Sequence, residues 1–214
     1  MTTWRSSQKA DRRARLLVEA AGLFARRGFA AVTTVEIGEA VGMSGPALYK
    51  HFPSKDAILA ELLVDASERL LQGGREIVAG ADPSDAVAAG AVLDELIAFH
   101  IGFATAAPDI IRIQDRELAG LDSDTNHRVR RLQRAYVAEW DIVLATAEPA
   151  LSAPERQTRL LGVFGLLNST PHSAGASGDD AARILAGMAR RALREDGPLS
   201  GADSPRRDSY PAST

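Results

Sequence analysis

Residues 28–56, Gly-Phe-Ala-Ala-Val-Thr-Thr-Val-Glu-Ile-Gly-Glu-Ala-Val-Gly-Met-Ser-Gly-Pro-Ala-Leu-Tyr-Lys-His-Phe-Pro-Ser-Lys-Asp, constrain the fold more tightly than any other part of this 214-residue chain. Thr33 and Glu36 stand at capping-box spacing, which predicts a short helix from Thr33 or Thr34 to about Val41. Gly42-Met43-Ser44-Gly45 forms a turn, with Ser44 as the next N-cap and Pro46 suited to a first helical turn. The helix that follows must stop before Pro53, because the residue preceding a proline avoids the α region. Ser54 then caps a long helix reaching about Val78. Two short helices joined by a glycine turn make a helix-turn-helix. Leu48 and Phe52 lie four apart on one face and are expected to pack on Phe24, Val35 and Ile37. Ala47, Tyr49, Lys50 and His51 are left facing outward.

That outward set has a chemical use. An α-helix fits the major groove of DNA, and a helix-turn-helix presents the start of its second helix to base edges. Here the start is Ser44-Gly45-Pro46-Ala47, small side chains on accessible backbone. Tyr49 and His51 have groups able to hydrogen-bond phosphates, and Lys50 and Lys55 supply charge, contacts that fix register while base contacts specify. Lys55 also falls in the first turn of the next helix, whose free amides attract a phosphate. Charge agrees: residues 1–56 hold nine Lys/Arg against five Asp/Glu, net +4, and the rest holds 16 against 23, net −7. A basic first quarter on an acidic body places polyanion binding at the N-terminal end.

The remainder reads as helical almost throughout, with no strand-like alternation. A first helix is expected over about 8–27, with Leu16, Leu17, Ala20, Leu23 and Phe24 on one stripe and Gly28 as its C-cap. Helices are expected near 84–105, 108–120, 124–147, 153–171 and 179–195, punctuated by Pro and Gly clusters. The fold class is therefore all-α, about nine helices. A three-helix DNA-binding domain at 8–53 precedes a helical body at 54–196, joined by the connecting helix at 54–79. Residues 197–214, rich in Pro, Ser, Asp and Arg, read as a disordered tail. No cysteine is present, which excludes disulfides and thiolate chemistry. The basic N-terminus lacks the apolar core of a signal peptide, and no window offers roughly 20 uninterrupted apolar residues. A cytoplasmic location and no membrane partner are expected.

Within the body, Val129, Leu132, Tyr136, Trp140 and Val143 follow a helical stripe, with Arg128, Arg130, Arg131 and Arg134 crowding the first half of the same helix. Upstream lie Phe99, His100 and Phe103, then Arg112, Arg116 and Glu117. With Phe164 and Asn168 these residues are candidates for an apolar cavity with a cationic mouth, suited to a hydrophobic acid or an acyl thioester. The same stripe is also what an ordinary core produces, and an arginine run is commonly a solvated face. The glycines of 162–172 read as allowing close helix approach. Ala182, Leu185, Ala186, Ala189 and Leu193 share a face of the last helix.

Phe24, Gly28-Phe29, Thr33-Thr34, Ile37, Val41-Gly42-Met43-Ser44, Leu48-Tyr49-Lys50-His51-Phe52 and Ser54-Lys55 together resemble the TetR family of one-component repressors, over roughly residues 13–62. The resemblance implies a homodimer with two N-terminal DNA-binding heads, a palindromic operator in double-stranded DNA, and a ligand-binding helical body paired through its last two helices. It gives DNA-contacting roles to Thr34, Ala47, Tyr49, His51 and Lys55, beside Ser44 and Lys50. Pro46-Ala47 departs from it, because many members carry a hydroxyl residue just before the Leu-Tyr pair. The body is also similar to actinobacterial members that control lipid or sterol breakdown, some responsive to coenzyme A thioesters. No cofactor or metal is expected. An enzyme is disfavoured by the lack of a phosphate-binding Gly loop, of metal-ligand spacing among His51, His100, His127 and His172, and of a Gly-x-Ser-x-Gly elbow. An effector-independent regulator and a protein-binding helical adaptor are the remaining alternatives.

Overall fold

The computed structural model describes residues 4–81, 83–172 and 178–194, with side chains from residue 11 onward except 45–46 and 178–179. The expected tail at 197–214 lies outside the described residues. The elements in order are α1 (Trp4–Arg27), α2 (Thr34–Ala40), α3 (Gly45–Leu48), α4 (Lys55–Gly80), α5 (Ala86–Ala106), α6 (Pro108–Glu117), α7 (Ser123–Ala147), α8 (Ala153–Asn168) and α9 (Gly178–Leu193). Single 3-10 turns follow α6 (Leu118–Gly120) and α8 (Thr170–His172), where the sequence predicts continuous helix. Among the described residues there is no strand.

Local chemistry accounts for the boundaries. Gly28 leaves α1 at φ 83°, a conformation only glycine adopts without strain. Thr33 and Glu36 form the expected reciprocal capping box on α2. Ser54 Oγ accepts the Ala57 amide at 3.0 Å to start α4, and Asp85 takes the Val87 and Ala88 amides to start α5. Pro108 and Pro154 occupy first-turn positions of α6 and α8, where a missing N–H costs nothing.

Two main cores result. The head core gathers Leu16, Ala20, Phe24, Val32, Ile37, Leu48, Phe52, Ile58 and Leu63, and takes in Ile113 of α6 and Val129 of α7. Each fully buried Leu, Ile or Phe contributes roughly 1.5–3 kcal/mol, against at most about 1 kcal/mol for an exposed ion pair. Burial therefore decides this packing, and the head shares it with the body. Leu48 and Phe52 are buried as expected, on Phe24 and Ile37. Val35 is not: it is 53% exposed, because it sits one residue past Thr34 on the solvent side of α2.

The body core surrounds α5, which packs on α4, α7, α8 and α9. α5 is long and apolar enough to cross a membrane by length and composition, although Asp94 and Glu95 interrupt its apolar run. In this fold Ala89, Val92, Leu93, Leu96, Ile97 and Ile101 spend that apolarity on the protein interior. α4 and α7 run together, tied by Arg75–Glu139 at 2.9 Å and Arg128–Glu68 at 2.7 Å.

Candidate nucleic-acid interface and effector site

The turn between α2 and α3 is tight because backbone approaches backbone there. The Met43 amide donates to the Gly38 carbonyl at 2.8 Å, and a Cβ on Gly38 would stand 2.8 Å from the Met43 oxygen. Gly42 turns the chain at φ 68°. The outer surface then carries Tyr49, 54% exposed, with exposed Ser44 and Lys50. Thr34 Oγ1 lies 3.2 Å from the Tyr49 hydroxyl, which joins the start of α2 to the end of α3. Ala47 and His51 are half-buried rather than fully outward, and His51 Nδ1 is enclosed by the protein. Beside this surface Arg27 pairs with Glu36 at 2.6 Å. The Thr33 backbone hydrogen bond, with Arg27, holds the Glu36 carboxyl down at about 2, well below the carboxylate range.

Lys55 is committed elsewhere than to solvent. Its ammonium donates to the carbonyls of Phe29 and Val32, both at 2.8 Å, and sits 4.3 Å above the Phe29 ring. It clips α4 to the α1–α2 junction with two of its three donors. Arg13 does the same work from α1: its guanidinium donates to the Glu61 carboxylate and the His51 carbonyl and lies 4.0 Å over the Phe52 ring. The sequence reading missed Arg13, since one arginine in a run of basic residues carries no signal of its own.

In the body, His100, Tyr136, Trp140 and Phe164 form one aromatic cluster. His100 stacks on Tyr136 at 5.9 Å between centroids, and Phe164 meets His100, Tyr136 and Trp140 at 5.3, 5.6 and 5.0 Å. His100 Nε2 lies 3.1 Å from Asn168 Oδ1, and Nδ1 lies 3.4 Å from the Tyr136 hydroxyl. Burial drives the His100 pKa down to about 4, despite the Asn168 hydrogen bond, so the ring is neutral at pH 7. Burial also pushes the Tyr136 phenol well above its usual range.

Two glycines of α4 complete the cluster. A Cβ on Gly73 would meet the Phe99 ring at 2.2 Å, and one on Gly74 would meet the Tyr136 ring at 2.6 Å. Both rings thus lie against the backbone of the helix whose first turn holds the head. A Gly-Gly pair inside a helix costs about 2 kcal/mol of propensity in all. That cost was the available signal, and the sequence reading passed over it.

α6 spans the distance from this cluster to the head. Near its start Arg112 donates to the Pro171 carbonyl at 2.8 Å, in the turn that follows Asn168. At its end Arg116 donates to the carbonyls of Phe24 and Ala25 at 2.8 and 2.6 Å, and Glu117 accepts the Phe29 amide at 3.1 Å.

Residues 16–62 match the family model described as bacterial regulatory proteins, tetR family. The chain is 43% identical over 74 residues to the HTH-type transcriptional repressor KstR2 of Rhodococcus jostii. Residues 16–62 are a TetR-family DNA-binding segment. The KstR2 match covers 35% of this chain and 36% of that repressor, so the chain spans about a third of that relative's length. The fold as a whole is like that of a TetR-family regulator from Bordetella parapertussis, at TM-score 0.72, with 22% identity over 83% of this chain and 93% of that one. It is also like AibR, solved with isovaleryl coenzyme A and operator DNA, at TM-score 0.68 and 18% identity over 83% of this chain and 97% of that one. The TetR family is one of transcription regulators, not of enzymes.

Within this TetR fold the residues expected at an effector site divide. Tyr136, Trp140, Phe164 and Asn168 come together around His100, whereas Phe99 packs at the edge of the same core against Gly73. Phe103 does not join them; it packs in a separate cluster with Ala66, Ala104 and Ile111, under Arg69. Nor do the arginines gather as a cationic mouth. Arg112 pairs with Asp109 at 3.2 Å and holds Pro171, while Arg116 is turned to α1. Arg131 is exposed, and Arg128 is taken by Glu68. A helical run of arginines points in several directions at once: here Arg128 finds Glu68 on α4, and Arg130 donates to Asn126 on its own helix.

Proposed function

We propose that the chain is a cytoplasmic, homodimeric repressor that binds a palindromic operator and releases it when a hydrophobic effector enters the body. In this reading residues 8–53 are the DNA-reading head, residues 54–196 the effector-binding and dimerisation body, and 54–79 the connecting helix. Thr34, Ser44, Ala47, Tyr49, Lys50 and His51 face the operator, and Lys55 orients the head. The observation that carries the reading is α6, pinned to the body turn by Arg112 and to α1 by Arg116 and Glu117.

An effector that changes the α8 turn moves Arg112, and Arg116 passes the change to the head. Both heads must meet major-groove faces about 34 Å apart, so a small change of head position is enough to lose one half-site. The effector acts as a population shift and must bind the DNA-incompetent form more tightly.

Pairing of two copies is supported by an apolar stripe on α8 and α9. Leu161, Ile184 and Met188 are 60%, 48% and 43% exposed, and Gly162 and Gly165 open onto free space. Those glycines do not serve close approach inside the subunit. They leave a flat surface against which a second copy packs.

Two observations favour variants of this reading. The acyl-thioester effector draws on AibR, which was solved with isovaleryl coenzyme A. The close packing around His100 supports a regulator without an effector. The test is footprinting on the DNA upstream of the chain's own gene, followed by selection from genomic fragments. A protected palindrome bound by a dimer carries the proposal. No specific fragment in either experiment overturns it in favour of a protein-binding helical adaptor.

A further inference from the structure

A cavity of about 530 Å³ lies between the start of α5, the end of α7 and the end of α9. Gly90 in its wall stands roughly 24 Å along α5 from Ala106, where the chain turns into α6. The floor is apolar, formed by the buried side chains of Leu93, Ile97 and Leu193. Val87 stands at the edge and, at 85%, is the most exposed of the large apolar side chains described. Gly90 adds open space: a Cβ there would meet nothing within 4 Å. Glycine inside a helix is destabilising relative to alanine, and no close approach among the described residues requires this one.

The rim carries both signs of charge in equal number. Asp94 and Glu148 bring two carboxylates, Arg190 and Arg194 two guanidinium groups. Arg190 meets Asp94 through Nε at 2.6 Å, a bond that leaves the four N–H donors of its terminal amino groups to other acceptors. Arg194 follows one turn later on the same side of α9 and joins no ion pair among the described residues. Two guanidinium groups at this spacing repel, and a carboxylate taking donors from both relieves the repulsion.

This balance selects the ligand. An anion would gain the two arginines but face Asp94 and Glu148, and a cation would meet the reverse. A molecule with one charge of each sign and hydrocarbon between them is complementary to the rim and to the floor together.

We propose that the cavity is a binding site for a zwitterion with large apolar side chains, of the apolar dipeptide class. Its carboxylate takes donors from Arg190 and Arg194, its ammonium lies toward Asp94 and Glu148, and its side chains cover Leu93, Ile97 and Leu193. Ligand pockets of roughly 300–1,000 Å³ are the usual size for such molecules. The site is distinct from the aromatic cluster around His100, and the inference does not depend on the effector-responsive reading above.

The test uses L-leucyl-L-leucine, its N-acetyl derivative and its C-terminal amide, which share one skeleton. Acetylation removes the positive charge and amidation the negative one. Each is titrated into the full chain by calorimetry. The free dipeptide is expected to bind with Kd below about 1 mM, roughly fivefold or more tightly than either derivative. Arg194→Gln should weaken the dipeptide and the acetyl derivative by about fivefold and leave the amide unchanged. Gly90→Leu puts a side chain into the open space on a helix that favours leucine over glycine, so the variant should fold and lose dipeptide binding. Equal or tighter binding of either derivative overturns the proposal. So does a dipeptide affinity unchanged by Gly90→Leu, or no dipeptide binding to the parent chain at about 5 mM.

Discussion

The backbone amide of Phe29 donates to the Glu117 carboxylate at 3.1 Å, joining residues 88 apart in sequence. With Arg116 on the carbonyls of Phe24 and Ala25, this bond ties the last turn of α6 to the end of α1 and the residue just beyond Gly28. These are charge-assisted bonds, each worth about 1.5–3 kcal/mol where water is excluded and less here, where Arg116 is partly solvated. Arg116→Ala is expected to lower stability by roughly 1–2 kcal/mol and to speed hydrogen exchange of the amides at 28–33. Operator affinity without effector should change little. Unchanged exchange at those amides would show that the joint transmits nothing.

Lys50 and Lys55 separate two effects that sequence alone merges. Lys50 is exposed beside Tyr49, so Lys50→Ala should weaken binding to all DNA sequences and flatten the log K against log salt slope by about 0.9. Lys55 already serves two carbonyls and an aromatic face. Lys55→Ala should cost roughly 1–3 kcal/mol of folding stability and leave the salt slope largely alone. A full-strength slope change in Lys55→Ala with unchanged melting would return Lys55 to the phosphate-contacting set.

His100 makes the body acid-sensitive. Its folded pKa, about 4, lies below the ordinary histidine value of 6.5, so below pH 6.5 the unfolded chain binds the extra proton. The stability that its burial as a neutral ring provides is complete above pH 6.5 and lost progressively down to about pH 4. The loss is on the order of 3 kcal/mol across that window. His100→Gln, with no titration there, should show a flatter stability profile in urea melts between pH 7 and 4. Parallel profiles for the two proteins would mean His100 is not the group responsible.

Gly73 and Gly74 should differ when replaced. Alanine gains about 1 kcal/mol of helix propensity at either position. At Gly73 the added methyl meets Phe99, which is half-exposed and free to swing, so Gly73→Ala should be close to neutral. At Gly74 it meets Tyr136, which is 4% exposed and stacked on His100. Overpacking there costs roughly 1–3 kcal/mol, which outweighs the gain. Thermal melts of both variants check the order; a Gly74→Ala protein as stable as Gly73→Ala contradicts it.

Leu161→Glu with Met188→Glu puts like charges into the stripe proposed for pairing. Sedimentation should show monomer where the parent is a dimer, with the helical signal retained because both side chains are exposed. Operator affinity should fall by orders of magnitude, since each half-site would then be held singly. A dimer surviving both substitutions moves the interface off this face.

Much of the head was legible in the sequence because its signals are local. A capping box at Thr33 and Glu36, glycines where φ turns positive, and prolines at helix starts all act within a few residues. The all-α order and most helix ends followed from the same cues. Side-chain direction was harder. Val35 was expected inside, yet it lies outside, since a seven-residue helix has too few turns to fix its apolar face from pattern alone. The aromatic half of the body cluster was readable from the α7 stripe, because helical spacing aligns Tyr136 with Trp140. Its arginine half was not. Whether Arg112, Arg116 or Arg131 faces a cavity depends on which carbonyls and carboxylates other helices bring near, and that is set by packing over dozens of residues.

The two arginines of α6 share a further property: each reaches main-chain oxygen on another element, Pro171 at one end, Phe24 and Ala25 at the other, while the carboxylate that Arg112 also meets, Asp109, belongs to α6 itself. A carbonyl is present whatever residue carries it. The joint between head and body is therefore tolerant of sequence drift on its receiving side, and the end of α1 can vary so long as it remains helical. Heads with different DNA preferences could be exchanged on this body without redesigning the connection.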